Sequence, residues 1–112
     1  MLIKDRDCLL NIIEAIEKIN DYSGSFDSAE SFHEDSKSFD AVLMNFVVVG
    51  EMVSKLSDEF IRNHSEFEWW KIKGLRNIVA HDYFGVDAEE VWQIIHKHLY
   101  LLEKYILKII NQ

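Results

Sequence analysis

The chain has no proline, four glycines and one cysteine among its 112 residues. Without proline, nothing in the covalent chain forces a long helix to stop. So few turn-forming residues also argue against a turn-rich β-sandwich. Cys8 stands alone, which excludes an intrachain disulfide. Positive charge is scarce as well: 12 Lys and Arg stand against 20 Asp and Glu, a formal net charge of -8. Bulk attraction to nucleic acid needs clustered cations, so the charge balance argues against a general nucleic-acid binder but says little against an enzyme with a small basic site. The longest apolar run, residues 41–50, is interrupted by Asn45 and is far too short to span a bilayer. The opening MLIKDRDCLL places charges where a signal peptide would be apolar. The expectation is a soluble, cytoplasmic protein without a membrane partner.

What is present is apolar residues, 48% of the chain, in helical rhythm. A chain of this length and composition can bury a real core and reads as a single domain over residues 1–112. Leu9, Ile12, Ile13, Ile16 and Ile19 form one stripe of a first helix over about residues 2–22. Gly24 breaks it, and Phe26 and Phe32 fold the following linker back onto the body. Asp27 with Glu30 suggests the cap of a short helix. A long helix is expected over about residues 36–63, and its middle, AVLMNFVVVGEMV, is apolar almost all round. Such a helix lies at the centre of a bundle or in a subunit interface. Ser65-x-x-Glu68 reads as a capping box for a third helix, with Trp69, Trp70, Ile72, Leu75 and Val79 as core candidates. Gly85 suits its end. Asp87, with Glu90 three residues on, caps a last helix whose core stripe is Val91, Ile95, His98, Leu102, Tyr105 and Ile109, with Ile94, Leu99, Leu101, Ile106 and Ile110 widening the apolar face. The sum is an all-α fold, a four- to five-helix antiparallel up-down bundle with short connections.

The segment GLRNIVAHDYFGVD carries the chemistry. Each helical residue turns by about 100°. Asn77 and His81, four apart, therefore share a face, and Arg76 lies roughly 140° from His81 by the same rule. Tyr83, seven beyond Arg76, returns to the arginine's side. A cation, an amide, an imidazole and a phenol near one helix end suit phosphodiester chemistry. RNA can be cut by its own 2′-hydroxyl attacking the adjacent phosphate, given a proton acceptor, a proton donor and a cation for the phosphorane charge. Histidine suits the proton work, arginine presents a planar charged fork to phosphate oxygens, and Asn77 orients the imidazole or holds an oxygen. One such histidine per chain is thin for both acid and base, which a symmetric dimer would remedy.

Arg76-x4-His81 matches the signature of HEPN-domain ribonucleases, and Arg76-x4-His81-x-Tyr83 resembles the HepT toxins of MntA–HepT pairs. Glu51-x3-Lys55, within GEMVSKLS, is similar to the acidic–basic pair that accompanies the motif in many such enzymes. Trp70, the run from Gly74 to Asn77, His81-Asp82-Tyr83-Phe84 and Val91-Trp92 follow the same pattern, so the resemblance covers nearly the whole chain. It implies an all-α HEPN-like homodimer that cuts RNA in a cleft between two copies, without metal or any other cofactor. It also implies a cognate antitoxin, a minimal nucleotidyltransferase that transfers AMP from ATP onto Tyr83. Arg76, His81 and Asn77 become candidate catalytic residues, with Glu51, Lys55 and Asp82 in support. Phosphates added beside Arg76 and His81 would occupy the place RNA needs. The chain departs from the family in one respect: SEFEWW lacks the proline that often precedes the tryptophan.

Each residue has a plainer reading. His81 can be a helix-end histidine favoured by the dipole, Arg76 a surface ion-pair partner, and Tyr83 a bundle-end aromatic with its hydroxyl in water. Glu51 and Lys55 can form a simple i,i+4 pair. A carboxylate in so apolar a helix needs a partner, though, and Arg76 or Lys55 is the natural one. His33, His64, His96 and His98 show no metal-ligand spacing and read as structural or solvent-facing. Lys71, Lys73 and Arg76 make a short basic strip. The alternative function is a non-catalytic helical subunit that binds, or is modified by, a nucleotidyltransferase.

Overall fold

The computed structural model describes the backbone of residues 1–112 and every side chain except that of Asp82. Among the described residues all regular structure is helical: α1 (Ile3–Ser23), α2 (Ala29–Glu34), α3 (Ser36–Ser54), α4 (Asp58–Asn63), α5 (Trp69–Lys73) and α6 (Leu75–Asp82). A 3-10 turn (Tyr83–Gly85) follows. Then come α7 (Ala88–Gln93), a π turn (Ile94–Leu99) and α8 (Tyr100–Ile110), which run on as one rod. No helix is long and apolar enough to cross a membrane among the described residues.

α3 is the hub of an antiparallel bundle. Its apolar middle buries Val42, Leu43, Phe46, Val49 and Val53, and only Met44 of that stretch is strongly exposed. α1 packs along one side with Leu9, Ile12, Ile16 and Ile19 buried, and α5 and α6 pack on another. Burying these branched aliphatic side chains, worth roughly 1.5–3 kcal/mol each, is what holds the rods together. Phe32 is fully buried and joins Phe26, Phe39 and Trp92, with ring centroids 5.8, 5.2 and 5.8 Å away. The linker after α1 thus does fold back onto the body, and it ties α2 to α3 and α7. At the opposite end Phe60, Phe67, Trp69 and Tyr105 form a second aromatic cluster.

Four local expectations are corrected. The long helix over residues 36–63 is two helices. Ser57 interrupts it by capping α4, its Oγ accepting from the Phe60 N–H at 3.1 Å. Asp5, almost fully buried on α1, accepts from the Ser57 N–H (2.8 Å) and hydroxyl (2.6 Å). These bonds give the backbone an alternative to continuing the helix. Second, the box at Ser65 and Glu68 does not form. α5 begins at Trp69 without a side-chain cap, because the Trp69 indole donates to the His64 carbonyl (2.9 Å) and the aromatic cluster fixes the entry. Third, Ser28 rather than Asp27 caps α2. Fourth, adjacent tryptophans on a helix cannot both face inward: Trp69 is core and Trp70 is 70% exposed.

The last rod differs in phase as well. Asp87 caps α7 as expected, accepting from the Glu89 and Glu90 N–H groups. The π turn then winds more slowly than an α-helix. The buried stripe becomes Val91, Ile95, Leu99, Leu102 and Ile106. His98 and Tyr105 are left half-buried at its margin, and the His98 Nδ1 is enclosed without a hydrogen-bond partner among the described residues. Cys8 is a core residue: burial first, then the Asp5 carboxylate, push its thiol pKa up, the opposite of what a nucleophile requires.

The Asp5–Ser57 junction yields a stability prediction. Asp5→Ala strips two donors of their partner and should cost about 2 kcal/mol. Urea unfolding followed by circular dichroism reads this directly. A midpoint equal to wild type would mean that other contacts set the break before α4.

Candidate functional site

α6 is a short amphipathic helix lying antiparallel on α3. Leu75 is buried and Ile78 and Val79 are half-buried, so this side faces the bundle. Two polar contacts mark the two ends of the α3–α6 seam. Near the start of α6, the Arg76 Nη1 donates to the Glu51 Oε1. Past its end, the Tyr83 hydroxyl donates to the Asp40 Oδ1 at 2.9 Å. Asp40 and Glu51 are eleven residues apart, three turns of helix, and so lie on one stripe of α3. Arg76 and Tyr83, seven apart, lie on one edge of α6.

Gly50 allows this approach. A Cβ there would sit 3.0 Å from the Arg76 backbone nitrogen, 3.2 Å from the Arg76 Cβ and 3.2 Å from the Lys73 carbonyl oxygen. The neighbours are mostly backbone at the α5–α6 joint and cannot rotate aside. α3 therefore touches the joint where the candidate arginine emerges, and the next residue, Glu51, meets its guanidinium.

The pair is partly open to water, with the Arg76 and Glu51 side chains 45% and 36% exposed. The hydrogen bond from Arg76 is the largest influence on the Glu51 carboxyl; burial opposes it, and the charges of Arg76 and then Lys55 add to it, so that the carboxyl is held below the usual carboxylate range. Glu51 takes Arg76 as its partner. Lys55 caps the end of α3, is exposed, and makes no ion pair with Glu51 among the described residues. Only one guanidinium N–H group faces Glu51. The others have no protein acceptor among the described residues and remain available to a phosphate.

Asn77 and His81 are exposed on the outward side of α6. No hydrogen bond joins them among the described residues, so the imidazole is not held by the amide in a single chain. Arg76 and His81 likewise occupy different sides of α6, as the helical angle requires. Asp82, expected in a supporting role, has a side chain outside the described residues. The Tyr83 ring is 45% exposed and Phe84 wholly exposed. Hydrogen bonding to Asp40 first, then desolvation and the negative charge of Asp40, raise the pKa of the Tyr83 phenol.

Two grooves of about 390 and 340 Å³ border α5 and the π turn. Trp70, Ile78, Ile94 and His98 are among the residues lining the first, and neither groove includes Arg76, Asn77, His81 or Tyr83. No group of three His, Cys, Asp or Glu side chains is gathered as a metal ion would require among the described residues. His64 and His96 bond to carbonyls one turn back, and His33 packs edge-on against Phe39.

The ribonuclease HepT-like family matches residues 12–109. The chain belongs to this family. A Caldanaerobacter subterraneus protein named "Putative RNase" is 34% identical over 85 residues, covering 76% of each chain. The "Probable ribonuclease HepT" of Thermococcus cleftensis is 31% identical over 94 residues, 84% of each chain. A Methanocaldococcus jannaschii protein named for gamma-glutamylcyclotransferase and putative RNase is 33% identical over 97% of this chain, which spans about half (49%) of that protein. No solved structure matches. Membership places the chain among ribonucleases and agrees with the all-α bundle.

Asp40 was missed by sequence reasoning. Its signal is the eleven-residue interval to Glu51, which becomes meaningful only once α6 is known to run antiparallel along α3.

Two predictions follow from this geometry. Gly50→Ala should destabilise the fold by roughly 1–3 kcal/mol, as overpacking does, and should shift the Arg76 side-chain resonances; retention of both would show that the joint yields easily. In a carboxyl-carbon NMR titration, Glu51 should protonate at lower pH than an ordinary glutamate and return to the ordinary range in Arg76→Ala. Because its pKa is lowered in the fold, the pair's contribution is present above the ordinary glutamate pKa. It is lost as pH falls through the depressed one. An unshifted Glu51 would mean that the pair does not persist in solution.

Proposed function

We propose that this chain is a metal-independent endoribonuclease toxin of a toxin–antitoxin pair, acting in the cytoplasm as a homodimer. Its cognate minimal nucleotidyltransferase neutralises it by adenylylating Tyr83. The observation that carries this reading is the arrangement of α6. Arg76 is anchored by Glu51 with donors to spare, and His81 stands free on the outward side, in a chain of a ribonuclease family.

In the proposed reaction the ribose 2′-oxygen attacks the adjacent phosphorus. One imidazole takes the hydroxyl proton, and the bond to the 5′-oxygen breaks. A second imidazole, from the other copy, protonates that leaving oxygen. The products are a 2′,3′-cyclic phosphate and a 5′-hydroxyl. Arg76 balances the charge that builds on the phosphorane oxygens, an interaction stronger in the transition state than in the ground state. Glu51 keeps the guanidinium oriented, with Lys55 adding positive charge close by. Asn77, one turn before His81, aligns the imidazole or receives a phosphate oxygen once substrate is bound.

The dimer is supported by chemistry and by surface. Arg76 and His81 diverge by roughly 140° on one helix, so a second copy is the simplest source of a complementary imidazole facing each arginine. Exposed Trp70 and Phe84 flank the segment and would gain by being covered.

A second reading has one observation in its favour. The arginine is already engaged by a carboxylate, and among the described residues no imidazole is held by Asn77. A non-catalytic subunit that binds a nucleotidyltransferase, or is modified by it, would also look like this. Incubation of the purified, unmodified chain with total RNA in EDTA separates the two. The proposal expects cleavage with cyclic-phosphate ends, and a loss of at least about 10²-fold in both Arg76→Ala and His81→Ala. Intact RNA from a folded dimer would favour the binding subunit, and a strict monomer at micromolar concentration would remove the shared cleft.

A further inference from the structure

Tyr83 has a partner that RNA cleavage does not call for. Its hydroxyl donates to Asp40 on α3, while its ring is nearly half exposed. Asp40 is itself exposed and forms no salt bridge among the described residues. A phenol within a solvent's reach, already hydrogen-bonded to a carboxylate without a cation, is the geometry of a nucleophile beside its proton acceptor.

We propose that Asp40 accepts the phenolic proton when Tyr83 is nucleotidylated. This rests on the reading of Tyr83 as the modified residue. A nucleoside triphosphate held by the partner enzyme supplies the phosphorus. The bond from Tyr83 Oη to the α-phosphorus forms, and the bond from that phosphorus to the bridging oxygen breaks. Pyrophosphate leaves with the electron pair, and the proton passes from Oη to the Asp40 carboxylate and on to water. The modified chain would thus carry its own general base to the enzyme that modifies it.

The physical argument concerns timing. Near neutral pH the phenol is protonated, and its hydrogen bond to a carboxylate makes prior ionisation harder. Attack through a pre-formed phenolate is therefore disfavoured at this site. Once the new oxygen–phosphorus bond begins to form, the phenolic proton becomes strongly acidic. A carboxylate at 2.9 Å then suffices to receive it. The aspartate that accepts the substrate hydroxyl proton in kinase phosphoryl transfer works on the same terms. Asp40 has a second consequence. After transfer the phenol no longer has a proton to donate, and the new phosphate is repelled by Asp40. The modified side chain would lose its hold on Asp40.

The test compares wild type, Asp40→Asn and Tyr83→Phe with ATP, magnesium and a minimal nucleotidyltransferase, reading initial rates by intact mass. Asparagine keeps the size and a hydrogen-bond acceptor but is not basic, and circular dichroism confirms the fold. The expected result is modification of wild type, none of Tyr83→Phe, and a rate on the order of 10²-fold lower for Asp40→Asn. That deficit should narrow as pH rises toward the phenol's own ionisation. A deficit equal at every pH would mean that Asp40 only anchors the turn and would overturn proton acceptance, as would a wild-type rate. If wild type stays unmodified, or Tyr83→Phe is modified as well, the assignment of Tyr83 fails instead. Asp40 is then judged with 5′-fluorosulfonylbenzoyladenosine, which sulfonylates phenols with loss of fluoride and needs no transferase. Faster labelling of Tyr83 in wild type than in Asp40→Asn supports the general base, and equal labelling refutes it.

Discussion

Where α3 passes the α5–α6 joint, the absence of one side chain governs the site. At Gly50 the two backbones approach so closely that even a methyl group would press on the Arg76 nitrogen and the Lys73 carbonyl. From that point α6 runs antiparallel along α3. Its apolar residues seat against the bundle, and its polar edge meets Glu51 at one end and Asp40 at the other. These contacts are exposed and add little to stability. Burial around α3 and α1 holds the rods, and the polar contacts only choose the direction in which each side chain points. Stability and orientation thus come from different residues, which is why polar groups at the seam can be altered without dissolving the core.

The geometry of α6 divides its chemistry between two edges. One edge, shared with α3, carries the guanidinium and the phenol. The other faces outward and carries the amide and the imidazole. A single regular helix cannot bring positions 76 and 81 together, because five residues amount to about 1.4 turns. Cleavage of one phosphodiester by both groups therefore requires either a second chain or an RNA that bends around the helix. Two copies related by a two-fold axis would meet the first requirement and would double the imidazoles at once.

Helix content and the candidate residues were legible from the sequence, since both rest on spacing: apolar residues at helical intervals, and Arg76, Asn77, His81 and Tyr83 within eight positions. What escaped were features decided by residues far apart in the chain. Ser57 ends the α3 pattern because Asp5, 52 residues earlier, is buried against it. The Ser65 box loses to an indole bonded to the His64 carbonyl, a contact driven by packing on Tyr105. One slow turn moves the centre of the last core stripe from His98 and Tyr105 to Leu99 and Ile106, residues expected only at its margin, and no periodicity in the sequence announces a single π turn. The choice between Arg76 and Lys55 as partner of Glu51 was open until Gly50 placed the joint. Asp40 could not be found at all without the direction of α6.

Charge then bears on how such a site could be switched. With a net charge of -8, the chain has no background field to draw RNA in. Binding must rest on a few local cations. When few phosphate contacts carry the affinity, each is a large share of it, and there is little surplus to absorb a competitor. Tyr83 lies just past α6, seven residues beyond Arg76, so under the proposed reading a phosphodiester attached there would bring anionic oxygens to the side of the helix that carries the guanidinium. It would do so intramolecularly, at an effective concentration no free RNA matches. In a strongly basic protein the same modification would be diluted among many cations. In this acidic one, under the proposed reading, a single tyrosine would suffice.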